Sequence, residues 1–406
     1  MSTRLSPKRE RWLLITLAGI QFTHILDFMI MMPLGPQFTK LFAISDAKFG
    51  LLVSAYTLAA GTSGLLAATY LDRFDRKKLL LTLYALFGLA TLACGLASSY
   101  GSLMAARVMT GIFGGVLSAL SQTIVGDVIP FERRGRAMSI VMTSFSVATV
   151  AGIPLCLLLA AHFNWHAPFF GLVILVALFA VAAWVTLPSL SAHLKAGPPA
   201  GPFKAIGQVL ADANHIRAFC FSALLMVGGF TVIPFITIYL QTNVGWRADQ
   251  VSYVYLCGGV ATLVSARFVG AATDRLGKVR VYRVMAFLVM IPTVLTTLTQ
   301  GFPMWAVLLV STSFFLGMNG RMIPGMAIVT SAANPQLRGT FMALNSAVQS
   351  AGMGVAAFVG GSLISRDANN LVQGYWMSSM VAVAAGLAAI ALAGRLKLHQ
   401  APAPKV

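Results

Sequence analysis

LVILVALFAVAAWVTL, residues 172–187, contains one polar residue, Thr186, and no alternation of polar and apolar positions. A strand of a membrane barrel reads as about ten residues that alternate between a lipid face and a lumen face. A continuous apolar block is instead the signature of a helix in lipid, where a hydrocarbon core about 30 Å thick takes roughly 20 apolar residues per crossing. Similar blocks run almost end to end, so the chain is expected to be a polytopic α-helical membrane protein. Its composition agrees, with 58% hydrophobic and 10% charged residues, where a soluble domain carries about 25% charged.

Working outward from that block, apolar stretches and polar breaks predict spans near 12–38, 48–71, 79–98, 102–126, 137–161 and 167–187. A second set follows near 216–241, 250–273, 281–299, 304–331, 339–364 and 371–393. The first stretch is too long for a cleaved signal and contains Asp27, Pro33 and Pro36, so it reads as a span. The longest polar break, with Pro198, Pro199 and Pro202, separates the sets. The expected domains are therefore 1–190, a cytoplasmic linker over 191–214, and 215–406. Cys94, Cys156, Cys220 and Cys257 are scattered through apolar segments without metal-ligand spacing, and read as packing residues.

The net charge of +18 would point to nucleic acid in a soluble protein. Here the cations occupy alternate breaks instead: Lys8, Arg9 and Arg11; Arg73, Arg76, Lys77 and Lys78; Arg133, Arg134 and Arg136; Arg275, Lys278, Arg280 and Arg283; Arg395 and Lys397. The opposite breaks hold Lys40, Lys48, Arg247 and Arg366. By the positive-inside rule both termini are expected in the cytoplasm of a cell (inner or plasma) membrane. The sets also repeat: Asp72-Arg73 recurs as Asp274-Arg275, and Pro130 with Arg134-Gly135 recurs as Pro335 with Arg338-Gly339. Such duplication is how many transporters place a site between two units.

Gly270, Asp274, Arg275, Gly277, Lys278 and Arg280 match the loop signature of the major facilitator superfamily, which the chain resembles over its whole length. Within it the chain is similar to bacterial drug:proton antiporters and sugar-efflux permeases. The first copy of the signature departs from the pattern at Ala68 and Asp75 while keeping Asp72, Arg73, Arg76 and Lys77. Further matches are Arg107 with Gly111 and Gly115, Gly152-Ile153-Pro154-Leu155, and the Asn164 to Phe169 segment. The resemblance implies two pseudo-symmetric six-helix bundles around a central cavity lined by spans one and four among others. It also implies an inner gate made of Asp72, Arg73, Arg76 and Asp127, echoed by Asp274 and Arg275.

Ionisable groups inside a span are costly and are read first as functional. Asp27 is the sole carboxylate well inside one. At 1.5 Å per residue Asp27 lies roughly 20 Å along span one, and Arg107 about 8 Å into span four from the other side. The two therefore share a depth, and a contact between them serves either as a proton-coupling device or as a structural ion pair. His24, three residues before Asp27, shares its helix face and is either a proton relay or a packing residue. Arg321, Asn345 and Gln349 are candidates for binding substrate. For Arg321 the competing reading is snorkelling to the interface, and for the two amides it is helix-to-helix bonding. Pro234 and Pro292 are expected to bend spans seven and nine.

No phosphate-binding loop, metal cluster or pairing of nucleophile and base is visible, so no cofactor, metal or catalytic residue is expected. The sequence reads as a secondary active transporter working by alternating access, with proton-coupled efflux of a drug-like compound, sugar or metabolite. Its expected partners are that small-molecule substrate, protons and the lipid bilayer, with no nucleic acid, and it is expected to act as a monomer. The alternatives are an importer or facilitator without proton antiport, or a non-transporting membrane sensor.

Overall fold

The computed structural model describes residues 6–129, 133–191, 202–334 and 337–398. Among them, 12 helices are long and apolar enough to cross a membrane, and each falls on a block that the sequence predicts. The first span is α1 (Pro7–Ile30), with Ser6 accepting from the Arg9 N–H as its N-cap. The single block expected over 12–38 is interrupted: residues 31–34 turn, and a short α2 (Gly35–Leu41) follows. Pro33 supplies the reason, because it lacks an N–H and biases the residue before it away from helix.

The next spans are α3 (Asp46–Tyr70), α4 (Arg76–Gly95) and α5 (Tyr100–Val128). Span five is α6 (Arg134–Val147), one π-helical stretch (Ala148–Gly152) and α7 (Ile153–His162). Pro154 has no N–H to return to the carbonyl one turn earlier, and a widened turn accommodates the loss. After α8 (Ala167–Thr186) comes α9 (Pro202–Ala211). The linker expected over 191–214 is thus partly helical. Ile206 and Val209 recur at helical spacing, Val209 is fully buried, and Asp212 already caps the next helix by accepting from the Asn214 N–H at 2.7 Å. Residues 192–201 of that linker lie outside the described residues.

Span seven is α10 (Ala213–Phe230) and α11 (Ile236–Thr242), interrupted at Pro234, and α12 (Ala248–Leu276) follows. Span nine divides into α13 (Lys278–Leu288) and α14 (Met290–Thr296), which contains Pro292. The chain ends with α15 (Met304–Ala332), α16 (Arg338–Ser362), a two-stranded antiparallel hairpin (β1, Ser365–Arg366; β2, Val372–Gln373) and α17 (Tyr375–Ala393).

Contacts between helix ends define two faces. Arg133 bonds Glu10 at 2.9 Å, Arg76 bonds Asp127 at 2.6 Å, and Lys278 Nζ donates to Ser331 at 2.5 Å. These ends share the basic face. On the far face Arg366 grips Asp46 with two bonds, Nε to Oδ2 at 2.9 Å and Nη2 to Oδ1 at 3.0 Å. That pair joins the first set of spans to the second.

The two sets also meet along α3 and α16 and where the π-helical stretch and α7 cross α12. Small residues dominate these crossings. Ser54 Oγ donates to the Gly354 carbonyl at 2.6 Å, and a methyl built on Gly50 would lie 2.6 Å from the Ala357 carbonyl. Close approach of this kind suits lipid, where packing between backbones replaces the hydrophobic effect as the attraction between helices. Within the first set, α3 and α5 are equally close, since a methyl on Gly115 would run into the Ala60 backbone.

Replacing Gly115 with Ala should therefore force α3 and α5 apart and cost about 1–3 kcal/mol, the usual range for overpacking. Gly101→Ala, where a methyl meets nothing within 4 Å, should leave stability equal or raise it by about 0.5–1 kcal/mol. Thermal unfolding of the two purified variants checks the contrast, and equal melting temperatures would refute it.

Candidate functional site

Asp27 lies one turn before the end of α1 and Arg107 two turns into α5, and opposed helix directions bring them to one level. Arg107 Nη1 donates to Asp27 Oδ2 at 2.8 Å and to the Asp27 backbone carbonyl at 3.2 Å. Both side chains are 0% exposed. Thr91 Oγ1 donates to Asp27 Oδ1 at 3.4 Å from α4. The Tyr56 ring lies under the guanidinium, its centroid 4.4 Å from Cζ, within range of cation–π attraction. Neither Thr91 nor Tyr56 was legible as part of this site. Tyr56 stands among apolar residues of α3, and nothing in its spacing marks it.

The guanidinium is only partly satisfied, because among the described residues Arg107 Nε and Nη2 are buried without a nitrogen or oxygen hydrogen-bond partner. His24, on the same helix face as Asp27, joins the cluster through ring contacts. Its ring lies 6.1 Å from the Tyr56 ring and 6.2 Å from Phe87, and among the described residues both its nitrogens are buried without partners. Gly114 makes room for it, since a methyl there would sit 2.6 Å from His24 Cδ2 and 2.8 Å from the Tyr56 hydroxyl. That hydroxyl is also buried and unpartnered. Phe28, next to Asp27, stacks on Tyr56 at 5.3 Å and reaches Phe230 of α10 at 5.9 Å. The charge pair is thus one residue from a contact with the second set of spans.

On the basic face, Asp72 falls in a short 3-10 turn (Leu71–Arg73), and its side chain is not among those described. Arg73 is exposed. Asp75, which departs from the family pattern, caps α4: it accepts from the Lys78 N–H at 3.0 Å and from Ser189 Oγ at 2.6 Å. Arg76 is buried and pairs with the more exposed Asp127. In the second copy, Gly277 has φ +89°, a left-handed conformation that ends α12 and suits glycine. Gly270 has open space around it. Asp274 and Arg275 are exposed, and among the described residues neither makes an ion pair.

Each of the three candidate substrate-binding residues has a protein partner. Arg321 does not reach an interface: it is 3% exposed and donates from Nη2 to the Leu225 carbonyl at 3.2 Å. Asn345 is buried and accepts from Ser222 Oγ at 2.6 Å, a bond between α16 and α10. Gln349 points to Met326 Sδ on α15, at 3.1 Å. Both amides bridge helices in this arrangement.

A family model described as Major Facilitator Superfamily matches residues 17–229 and again 218–406. The chain belongs to the major facilitator superfamily. As a superfamily member it is a transporter rather than an enzyme, and a multi-pass membrane protein. It is 26% identical over 341 residues to the uncharacterized MFS-type transporter YtbD of Bacillus subtilis (strain 168), covering 83% of this chain and 84% of that one. It is 24% identical over 384 residues to YbcL of the same organism, covering 93% and 95%. Among solved structures, a D-xylose-proton symporter superposes with TM-score 0.77 at 16% identity, over 95% of this chain and 97% of that one. A bacterial homolog of the human lysosomal transporter Spinster, described as inward-facing and unoccupied, gives TM-score 0.67 at 19% identity, over 98% and 100%.

Removing Arg107 from this superfamily member leaves a carboxylate buried without a counter-charge, which typically costs about 3–5 kcal/mol. Arg107→Ala should melt well below wild type, and adding Asp27→Asn should recover part of the loss. A double-mutant cycle on melting temperatures checks this, and strictly additive losses would show that the groups are uncoupled.

Partial burial alone would raise the pKa of Asp75, but hydrogen bonds from Ser189 and from the Lys78, Leu190 and Lys77 backbones hold it below the ordinary carboxylate value. A depressed pKa contributes stability above the unfolded value of about 3.9 and loses it as pH falls through the folded value. Asp75→Ala should therefore be less stable by about 1 kcal/mol at pH 7, as for other N-caps. The gap to wild type should close below about pH 4. A gap independent of pH would mean that the carboxylate charge is not what caps α4.

Proposed function

We propose that this protein is a proton-coupled secondary transporter that works by alternating access and exports a small organic solute, a drug-like compound, sugar or metabolite. The observation that carries this reading is the buried Asp27–Arg107 pair, set among donors and acceptors that lack partners: Arg107 Nε and Nη2, both His24 nitrogens and the Tyr56 hydroxyl. A buried polar group without a partner costs about 1–3 kcal/mol. Surplus hydrogen-bonding capacity around one carboxylate is what a group that alternates between a paired and a protonated form requires. In the protonated form Asp27 releases Arg107, and the neighbouring donors and acceptors are available to solute or water.

In this reading the basic face is cytoplasmic, with both termini there, and residues 1–190 and 215–406 are the two halves that rock. The far face is held shut by Asp46–Arg366 and by Phe28 against Phe230. Among the described residues no ion pair on the basic face joins the halves. The far-face contacts between the halves support a state closed toward the outside.

The same chemistry runs in the other direction in a symporter, and a proton symporter is among the structures that share the fold. Direction is therefore tested together with coupling. Sealed vesicles holding the purified protein and a pH-sensitive dye are challenged with a panel of lipophilic cations, sugars and amino acids. At least one compound should drive protons opposite to its own movement, and Asp27→Asn should abolish accumulation against a gradient while exchange persists. Accumulation undiminished in Asp27→Asn would remove Asp27 from coupling. Protons moving with the compound would make the protein a symporter.

A further inference from the structure

On the basic face of the second half, one imidazole nitrogen has two partners, one for each of its charge states. His215, in the first turn of α10, is 0% exposed. Its Nδ1 lies 3.2 Å from the Val209 carbonyl of α9, and its Nε2 lies 3.0 Å from the backbone nitrogen of Asn334, just beyond α15. A carbonyl only accepts and an N–H only donates, so these partners fix the ring: Nδ1 carries the proton and Nε2 is the bare acceptor. Asp212 Oδ2 stands 3.7 Å from that same Nε2. The carboxylate is 36% exposed, and its other oxygen caps α10 at the Asn214 N–H.

A proton added at Nε2 reverses the preference. The atom becomes a donor, can no longer accept from Asn334, and stands within ion-pair distance of a carboxylate. The Nδ1 bond to Val209 survives, since that atom donates in both states. Asp212 is the one carboxylate among the charged residues on the elements packed around the ring. Lys204 of α9, Arg217 of α10, Arg338 of α16, and Arg395 and Lys397 after α17 are cations, and the end of α15 has no charged residue. Asn214, next to His215, bonds the Ala332 carbonyl and the Lys397 backbone, so α15 keeps its hold on α10. What the proton frees is the connection that begins at Asn334 and leads into α16, where Phe341 packs on the His215 ring at 4.8 Å.

The first half builds the matching clasp from other groups. His215 stands as far beyond Glu10 as Pro335 stands beyond Pro130, and Glu10 holds Arg133, at the start of α6, with two bonds at 2.9 and 3.0 Å. That clasp joins a carboxylate to a guanidinium and contains no imidazole, the side chain that ordinarily changes charge between about pH 5 and 8.

We propose that His215 is a proton-operated clasp: acid at the basic face moves Nε2 from Asn334 to Asp212 and releases the α15–α16 connection, while the Glu10–Arg133 clasp stays closed. α16 is the helix that meets α3 of the first half, so the release acts on an element that joins the halves. The clasp is separate from the Asp27–Arg107 pair and does not depend on the direction or coupling of transport.

Hydrogen exchange of the purified full chain in detergent, read by mass spectrometry and divided by the intrinsic rate at each pH, tests this. Between about pH 7.5 and about pH 5.5, across the imidazole range, protection of the peptide from Asn334 to Phe341 should fall about tenfold, the usual size for one lost hydrogen bond. The peptide that starts at Arg133 should keep its protection. His215→Gln accepts from Asn334 without changing charge and should abolish the pH response. Asp212→Asn keeps a good N-cap and removes the carboxylate that the protonated ring needs, so the midpoint of the response should move to lower pH. Equal protection of the Asn334 peptide at both pH values would overturn the proposal, and so would a response undiminished in His215→Gln. A midpoint unchanged or raised in Asp212→Asn would overturn it as well, a result that stands whether or not His215→Gln folds.

Discussion

Inside a bilayer core each backbone N–H or carbonyl left unpaired costs several kcal/mol, so the chain must satisfy them within its own segments. The rest of this structure follows from that constraint. Every crossing is helical, and each departure from regular helix has a local cause that restores the bonding: Pro154 beside the π-helical stretch, Pro234 at the break in span seven, and Pro33 where α1 stops. With no hydrophobic effect to pull helices together in lipid, the halves rely on close backbone contact. This is why Gly50, Ser54 and Gly354 line the α3–α16 crossing. Many polar groups within the spans bond back to their own helix, as Thr149 does to the Phe145 carbonyl, others bond across helices, as Ser222 does to Asn345, and a further set is gathered around Asp27 and Arg107.

The span count and the shared depth of Asp27 and Arg107 were legible in the sequence because both depend on one-dimensional quantities, while the meeting of spans one and four was implied by the family resemblance. Block length sets the number of crossings, and rise per residue sets the depth of a charge. What was not legible depends on rotation about the helix axis and on contacts between distant segments. His24 shares a face with Asp27 by spacing, yet its ring turns toward Gly114 and Tyr56. Arg321 reads as close to an interface by position along α15, yet it points inward at Gly228. Asp46 and Arg366 are separated by most of the chain, and no pattern within either segment pairs them. Asp75 looked like a flaw in a loop signature and is instead an N-cap, a role that the Asp75-to-Lys78 spacing permits but does not announce.

The two buried arginines show how differently the halves handle a cation. Arg107 is held by a carboxylate, a carbonyl and an aromatic face. Arg321 sits on glycines against one carbonyl. Phe28 adds a mechanical link in the first case, since it follows Asp27 directly and touches Tyr56 and Phe230. A rearrangement of the carboxylate is therefore felt, one residue later, at an aromatic contact between the halves.

The crossing of α3 and α16 brings Gly50, Ser54 and Gly354 close to the facing backbone, with Thr57 and Leu58 against Gly354. At its rim Arg366 holds Asp46 through two bonds. Arg366 is 24% exposed but Asp46 only 2%, so salt in the surrounding solution screens the pair little. In the cycle proposed above, this pair would act as a latch that has to open before the halves separate, whatever the ionic strength outside.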